Sequence, residues 1–187
     1  RDLALFFLDI RNFTLFMEAY LAFDVIHVIR RLFTMFRKCI EDNHGRIIET
    51  AGDGFYAVFG MESSIEKAVN NAYDAGHLIL NELDILNNQY LRKYFNYEVK
   101  VGIGLHMGKV IVGNIGIGVN NNLTVMGMPV NIASRIQAAT KEVNNSFLIS
   151  DSIHGLLKQP AQTIQMKIAL KGVKDPFNIH LCAKNYL

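Results

Sequence analysis

Cysteine is scarce in this chain, with two among 187 residues, Cys39 and Cys182. There is no CxxC pair and no Cys/His spacing of the kind that holds zinc. Cys39 falls on the apolar stripe of an expected helix and Cys182 in an expected terminal strand. Both therefore read as buried thiols that pack as small hydrophobes. A reducing compartment fits that pattern. Charge of one sign is also missing. The 19 Lys and Arg against 17 Asp and Glu leave a net +2, which gives no global case for nucleic acid or an anionic membrane. The apolar run nearest the start, residues 3–8, is far too short to span a bilayer. No internal repeat or low-complexity tract is present, and no Ser-His-Asp or Cys-His arrangement offers a side-chain nucleophile.

What remains is a globular composition, half hydrophobic and 19% charged, long enough for one domain with a real core. Residues 3–8 read as a central strand. Val25, Ile29, Leu32, Phe36 and Ile40 recur at helical spacing, so residues 24–41 read as an amphipathic helix. Residues 46–50 and 54–59 flank a tight Ala51-Gly52-Asp53-Gly54 turn and read as a hairpin. Ser63 with Glu66 has capping-box spacing and opens a second helix bearing Ile65, Ala68, Ala72, Ile79 and Leu83. Residues 87–96 read as a polar connector. Residues 98–106 and 109–114 read as a second hairpin, and 113–122, rich in Gly and Asn, as a mobile stretch. After a short strand at 123–126, Pro129 suits the first turn of a helix running to about Lys141. Residues 147–150 read as a strand, 151–157 as a short helix, and 164–170 with 176–183 as a final hairpin. The β-α-β-β-α-β order predicts an α+β fold, with helices on a mostly antiparallel sheet. Arg1 and Asp2 stand directly before a buried-looking strand, which suggests a single domain, 1–187, excised from a longer regulated protein.

Two carboxylates stand out. Asp9 ends an apolar strand and precedes Asn12-Phe13-Thr14, whose backbone amides open a short helix, an environment that favours anions. Asp53 sits in the hairpin turn between glycines. Each alone also reads as an ordinary N-cap or turn aspartate. As neighbours on one sheet edge, the pair could hold a divalent metal. Asn131 and Arg135 lie one helical turn apart, and arginine is a common clamp for charge on a transferred phosphoryl group. Lys171 and Lys174 flank Gly172-Val173 after a strand, where a lysine can reach phosphate or merely face solvent. Lys109 has the same two readings. His106 has no partner at ligand spacing and reads as structural.

The segments FLDIRNFT, ETAGDGFYAVF, VGIGLHMGKVIVGNIG and VMGMPVNIASRIQAATK resemble, in order and spacing, the class III adenylate/guanylate cyclase catalytic domain. The resemblance covers nearly the whole chain. It implies a ferredoxin-like sheet and conversion of ATP or GTP to the cyclic monophosphate and pyrophosphate. It also implies a head-to-tail homodimer with two composite sites. By the same resemblance Asp9, Asp53 and the Ile10 carbonyl hold two divalent cations, Mg2+ or Mn2+. Lys171 meets the triphosphate, as does Lys109, which falls where some members carry an arginine; the Phe13 and Thr14 loop after Asp9 could cradle phosphates on its own chemistry. Asn131 and Arg135 orient the ribose and stabilise the transition state. A cytoplasmic location and a regulatory domain elsewhere in the full chain follow as expectations. An inactive cyclase-like dimerisation domain is the alternative, against which the presence of Asp9, Asp53, Asn131 and Arg135 argues. The absence of a diguanylate cyclase signature argues against that second enzyme class.

The base-reading positions of the family fall on Glu49 and Thr124. An ionised carboxylate only accepts hydrogen bonds. Guanine offers it two adjacent donors and adenine one donor beside an acceptor, so Glu49 favours GTP. Threonine resembles many bacterial adenylate cyclases and can donate or accept, so Thr124 suits either base. ATP and GTP both stay open at this point.

Overall fold

A computed structural model describes residues 1–114, 123–159 and 162–185. The central strand is longer than its apolar run: β1 spans Asp2–Arg11. Its even-numbered residues Ala4, Phe6, Leu8 and Ile10 face one core, while Leu3, Leu5 and Phe7 face another, as strand alternation requires. After α1 (Phe13–Ala19) and α2 (Ala22–Asp42) the chain forms the expected hairpin of β2 (Gly45–Ala51) and β3 (Gly54–Phe59). Then come α3 (Ile65–Leu86), a π-helical turn (Asn87–Leu91), α4 (Arg92–Phe95) and β4 (Lys100–Lys109). The second half holds β5 (Ile111–Asn114), β6 (Leu123–Met126), α5 (Met128–Ala139), β7 (Phe147–Ser150), α6 (Asp151–His154), β8 (Ile164–Ile168) and β9 (Phe177–Leu181).

Seven strands form one sheet in the order β2-β3-β1-β4-β7-β9-β8, and β5 and β6 form a separate pair. All neighbours in the large sheet run antiparallel except β4 and β7. The first four strands with α2 and α3 are the βαββαβ unit expected of a ferredoxin-like fold. Val25, Val28, Leu32, Phe36 and Ile40 of α2, with Ala68, Ala72, Ile79 and Leu83 of α3, fill the core on one face. On the other face α5 lies close to β4. A Cβ at Gly104 would come within 2.3 Å of the Gln137 backbone, and one at Gly108 within 2.6 Å of the Pro129 ring. Among the described residues no helix is long and apolar enough to cross a membrane.

Several expectations change. Residues 87–95 are helical rather than a connector. The Asn87 amide is buried, donating to the Val99 carbonyl (2.8 Å) and accepting from the Val99 amide (2.9 Å), so a polar side chain serves as a backbone partner. The hairpin expected between 98–106 and 109–114 does not form. β4 stays paired with β1 as far as Lys109, and β5 pairs with β6 instead. The N-cap of α3 is Ser64, which accepts from the Lys67 amide, not Ser63. The last hairpin is shorter, with β8 ending at Ile168. Cys39 is buried as expected, whereas Cys182 is half-buried. Burial pushes both thiols up, to about 11 and about 12. Most of the stretch expected to be mobile, 115–122, lies outside the described residues.

His106 is structural, as its isolation implies. It is buried, its Nδ1 lies 2.9 Å from Ser150 Oγ, and burial lowers its pKa to about 4. The unfolded chain therefore binds a proton at this site between about pH 4 and 6.5 that the folded chain does not, so stability falls as pH drops through that window. The loss is about 3 kcal/mol at most. Chemical denaturation at pH 7.5 and pH 5 should show that His106→Gln, whatever its own cost, flattens this fall.

Candidate active site

Strand and turn bring the two aspartates together. Asp9 lies opposite Gly54 on β3, and the Ile10 amide donates to the Asp53 carbonyl at 3.1 Å. A Cβ at Gly54 would meet the Leu8 carbonyl at 2.6 Å and Asp9 Oδ1 at 3.2 Å, so a glycine there is what lets the turn close on β1. The amide and carbonyl of one antiparallel residue point the same way, so the Ile10 carbonyl also faces the Asp53 turn. The Asp9 carboxyl is raised to about 6, first by burial, then by the charge of Asp53 and a hydrogen bond between the two carboxyl groups. Two carboxyls held in hydrogen-bonding contact are a hard-oxygen pair of the kind that takes Mg2+ or Mn2+. Among the described residues no group of three His, Cys, Asp or Glu side chains converges on a metal position. Further ligands for such a cation would be backbone, water or substrate oxygens, which suits Mg2+.

Sequence reasoning missed Arg11. Its guanidinium is buried under α5, with Nη1 3.7 Å from Asp9 Oδ2 and Nη2 3.4 Å from the Gln137 carbonyl. Gly102 makes room for it, since a Cβ there would lie 2.1 Å from Nη2. With Lys141 it offsets part of the rise at Asp9. The signal was the break in the strand's alternation, a charged residue at a position that packs inward. Asn12 holds left-handed dihedrals (φ 53°, ψ 30°) and makes no side-chain cap to α1. Phe13 is a core side chain packed on Phe16, so only backbone groups of Phe13 and Thr14 could meet an anion.

The structure gathers some of the other candidates and separates the rest. A groove of about 440 Å³ between the sheet and α5 is lined by Asp9, Glu49, Tyr56, Asn131 and Ser134 among others. Arg135 points elsewhere. Its guanidinium lies against the β8–β9 turn, 3.4 Å from where a Cβ of Gly172 would be, beside Lys171. Its Nη1 is buried without a hydrogen-bond partner, which leaves a donor ready for an anion. Lys171 and Lys174 are exposed. Lys109 pairs with Asp2, at the opposite end of β1 from Asp9. Glu49 is exposed on β2 opposite Tyr56. Thr124 sits on β6, opposite Gly113 of β5. One chain thus has a carboxylate end and a cationic end that face different surroundings.

Residues 1–183 match the family described as the adenylate and guanylate cyclase catalytic domain. An adenylate cyclase of Anabaena cylindrica is 29% identical over 187 residues, covering 96% of this chain and 36% of the relative. An uncharacterized protein of Mycobacterium tuberculosis is 30% identical over 179 residues, covering 94% and 32%. This chain therefore spans about a third of the length of these relatives. Among solved structures, the adenylyl cyclase CyaB from P. aeruginosa superposes with a TM-score of 0.89 at 25% identity, covering 99% of this chain and 95% of that one. The guanylyl cyclase Cya2 superposes with a TM-score of 0.86 at 27% identity, covering 96% and 90%.

Proposed function

This chain belongs to the adenylate and guanylate cyclase catalytic-domain family, and on that premise we propose that it converts a purine nucleoside triphosphate to its 3′,5′-cyclic monophosphate and pyrophosphate, at sites shared between two copies. The observation that carries this reading is the seating of the Asp53 turn against Asp9 at the end of β1, with Asp9 paired to Gly54 and the Ile10 amide on the Asp53 carbonyl. Asp9, Asp53 and the Ile10 carbonyl would hold the divalent cations. Held by these residues, the cations would supply a lowered pKa for the attacking 3′-hydroxyl and charge neutralisation on the triphosphate.

The chain's own residues supply the rest. Backbone amides at Phe13 and Thr14 steer phosphate oxygens toward the aspartates, and Arg11 keeps Asp9 oriented under α5. Asn131, exposed on α5, positions the ribose. Arg135, with a buried Nη1 lacking a partner, donates to charge that develops on the phosphoryl group. Lys171, beside it, adds a positive charge for the triphosphate. The Arg135 guanidinium lies against the β8–β9 turn that carries Lys171 rather than in the groove that holds Asp9, which supports a site completed by a second copy. Glu49 and Thr124 would face the base. The likeness to both an adenylyl and a guanylyl cyclase is compatible with either purine. Incubation with ATP, GTP, CTP and UTP in the presence of manganese, with products separated by chromatography, tests the reading. It expects a cyclic purine nucleotide and pyrophosphate. No cyclic product from any of the four contradicts it.

A further inference from the structure

Strand alternation puts Asp9 and Arg11 on the same face of β1, the face covered by α5. Asp9 pairs with Gly102 of β4. Because Gly102 has no side chain, the Arg11 guanidinium folds back over it: a Cβ there would lie 2.1 Å from Nη2 and 2.4 Å from Thr140 Oγ1. In that slot Nη1 lies 3.7 Å from Asp9 Oδ2, and Nη2 donates to the Gln137 carbonyl at 3.4 Å. One guanidinium thus touches both a carboxylate of the candidate metal site and the end of α5.

The end of α5 favours a cation. Its last carbonyls lack intrahelical partners and carry the negative end of the helix dipole, yet its last turn holds no basic residue of its own. Lys141, two residues beyond the helix, is exposed, where solvent and salt screen its charge. The buried Arg11 supplies the cation from β1 instead. The Gln137 carbonyl also accepts from Thr140 Oγ1 at 2.6 Å, and Gln137 Nε2 donates to the Gly102 carbonyl at 3.2 Å. Arg11, Gly102 and the last turn of α5 therefore form one joint, and Asn131 and Arg135 ride on the helix that it holds.

We propose that Arg11 is a positioning residue for both composite sites of a dimer at once: it orients Asp9 for the site that its own chain's carboxylates serve, and it seats α5, whose Asn131 and Arg135 serve the other site. The inference rests on the cyclase reading above and adds a link between the two sites. With a divalent cation on its oxygens, Asp9 attracts the guanidinium less, and Arg11 bears more fully on the Gln137 carbonyl. Metal occupancy at one site then tightens the helix that serves the other, which is a coupling between sites.

Two changes break the joint by different routes. Arg11→Met removes the charge and keeps a long side chain, while Gly102→Ala fills the slot and leaves Arg11 in the chain. Hydrogen exchange of the α5 backbone is measured without nucleotide, with and without manganese alone. In the unmodified protein manganese should slow exchange over residues 132–139 by about two- to fivefold. In both variants, with manganese binding checked by calorimetric titration, most of that difference should vanish. The second measurement uses mixed dimers of Asp53→Asn and Arg135→Ala chains, whose one intact site takes its carboxylates from the Arg135→Ala chain and its α5 from the Asp53→Asn chain. Arg11→Met placed in the Asp53→Asn chain should lower kcat about 10-fold with little change in KM. Gly102→Ala in the same chain should do the same, and it carries both measurements if Arg11→Met does not fold. A manganese effect on α5 that is absent from the unmodified protein or equal in the variants overturns the inference. So does a loss of kcat seen only when the change sits in the Arg135→Ala chain, since Arg11 would then serve Asp9 alone. Protection of α5 that depends on manganese and on Arg11, without a cyclic product from any nucleotide, upholds the link and contradicts the cyclase reading. Absence of manganese binding to the unmodified protein overturns both.

Discussion

Asp53→Asn is expected to lose about a thousandfold or more in cyclic nucleotide formation while its metal-free form becomes more stable. The loss follows if the second carboxylate is needed to hold the cations. The gain follows from the contact itself, because Asp53 is one of the groups that raise the Asp9 carboxyl to about 6. With a folded-state value above the unfolded one, the folded chain holds a proton at Asp9 that the unfolded chain releases between about pH 4 and 6. Stability at this site therefore falls as pH rises through that window. Asparagine removes the like charge and can donate to Asp9. The Asp9 side chain is 33% exposed, so solvent screening reduces the gain to about 1 kcal/mol, or about 2–4 °C in melting temperature. Calorimetry without divalent metal at pH 7.5, beside product chromatography with manganese, measures both. An unchanged or lower melting temperature would show that the two carboxyls do not repel.

Arg135→Ala should lose about 100- to 1000-fold in kcat with little change in KM, as for a donor used only on transition-state charge. The structure gives the reason it should cost no stability: its Nη1 is buried without a partner, so the folded protein already carries an unmade hydrogen bond. Steady-state kinetics beside thermal melting separates the two effects. A fall in melting temperature with kcat intact would make Arg135 a packing residue for the β8–β9 turn. Both predictions place the active groups among those that strain the fold, a common cost of function.

Asp9 and Asp53 were legible because local rules place them, apolar strands ending in a turn and glycines on either side of Asp53. Asn131 and Arg135 were legible as a helix pair, but the direction of the Arg135 guanidinium depends on the β8–β9 turn, which no spacing along α5 encodes. Glu49 was identified through family resemblance, and its reach into the groove depends on a bulge that periodicity cannot show: alternation from Ile47 points it to the wrong face. Arg11 was missed because its importance lies in tertiary partners, Asp9 and Gln137. The misplaced β4–β5 hairpin has the same origin. β1 is long enough to occupy β4 through Lys109, and a local reading of Gly108 sees only a turn. Residues 87–96 read as a connector because the stretch is polar, while the Asn87 amide in fact completes the backbone of Val99.

A composite site requires the carboxylate end of one copy to meet the cationic end of another. Mixing Asp53→Asn with Arg135→Ala, each nearly inactive alone, tests it most directly. If sites are composite, random exchange makes half of the dimers mixed, and each mixed dimer has one site with both residues intact. Activity should recover to about a quarter of the unmodified protein's. Activity that stays at the level of the separate variants, while exchange is shown by mass spectrometry, would contradict the account.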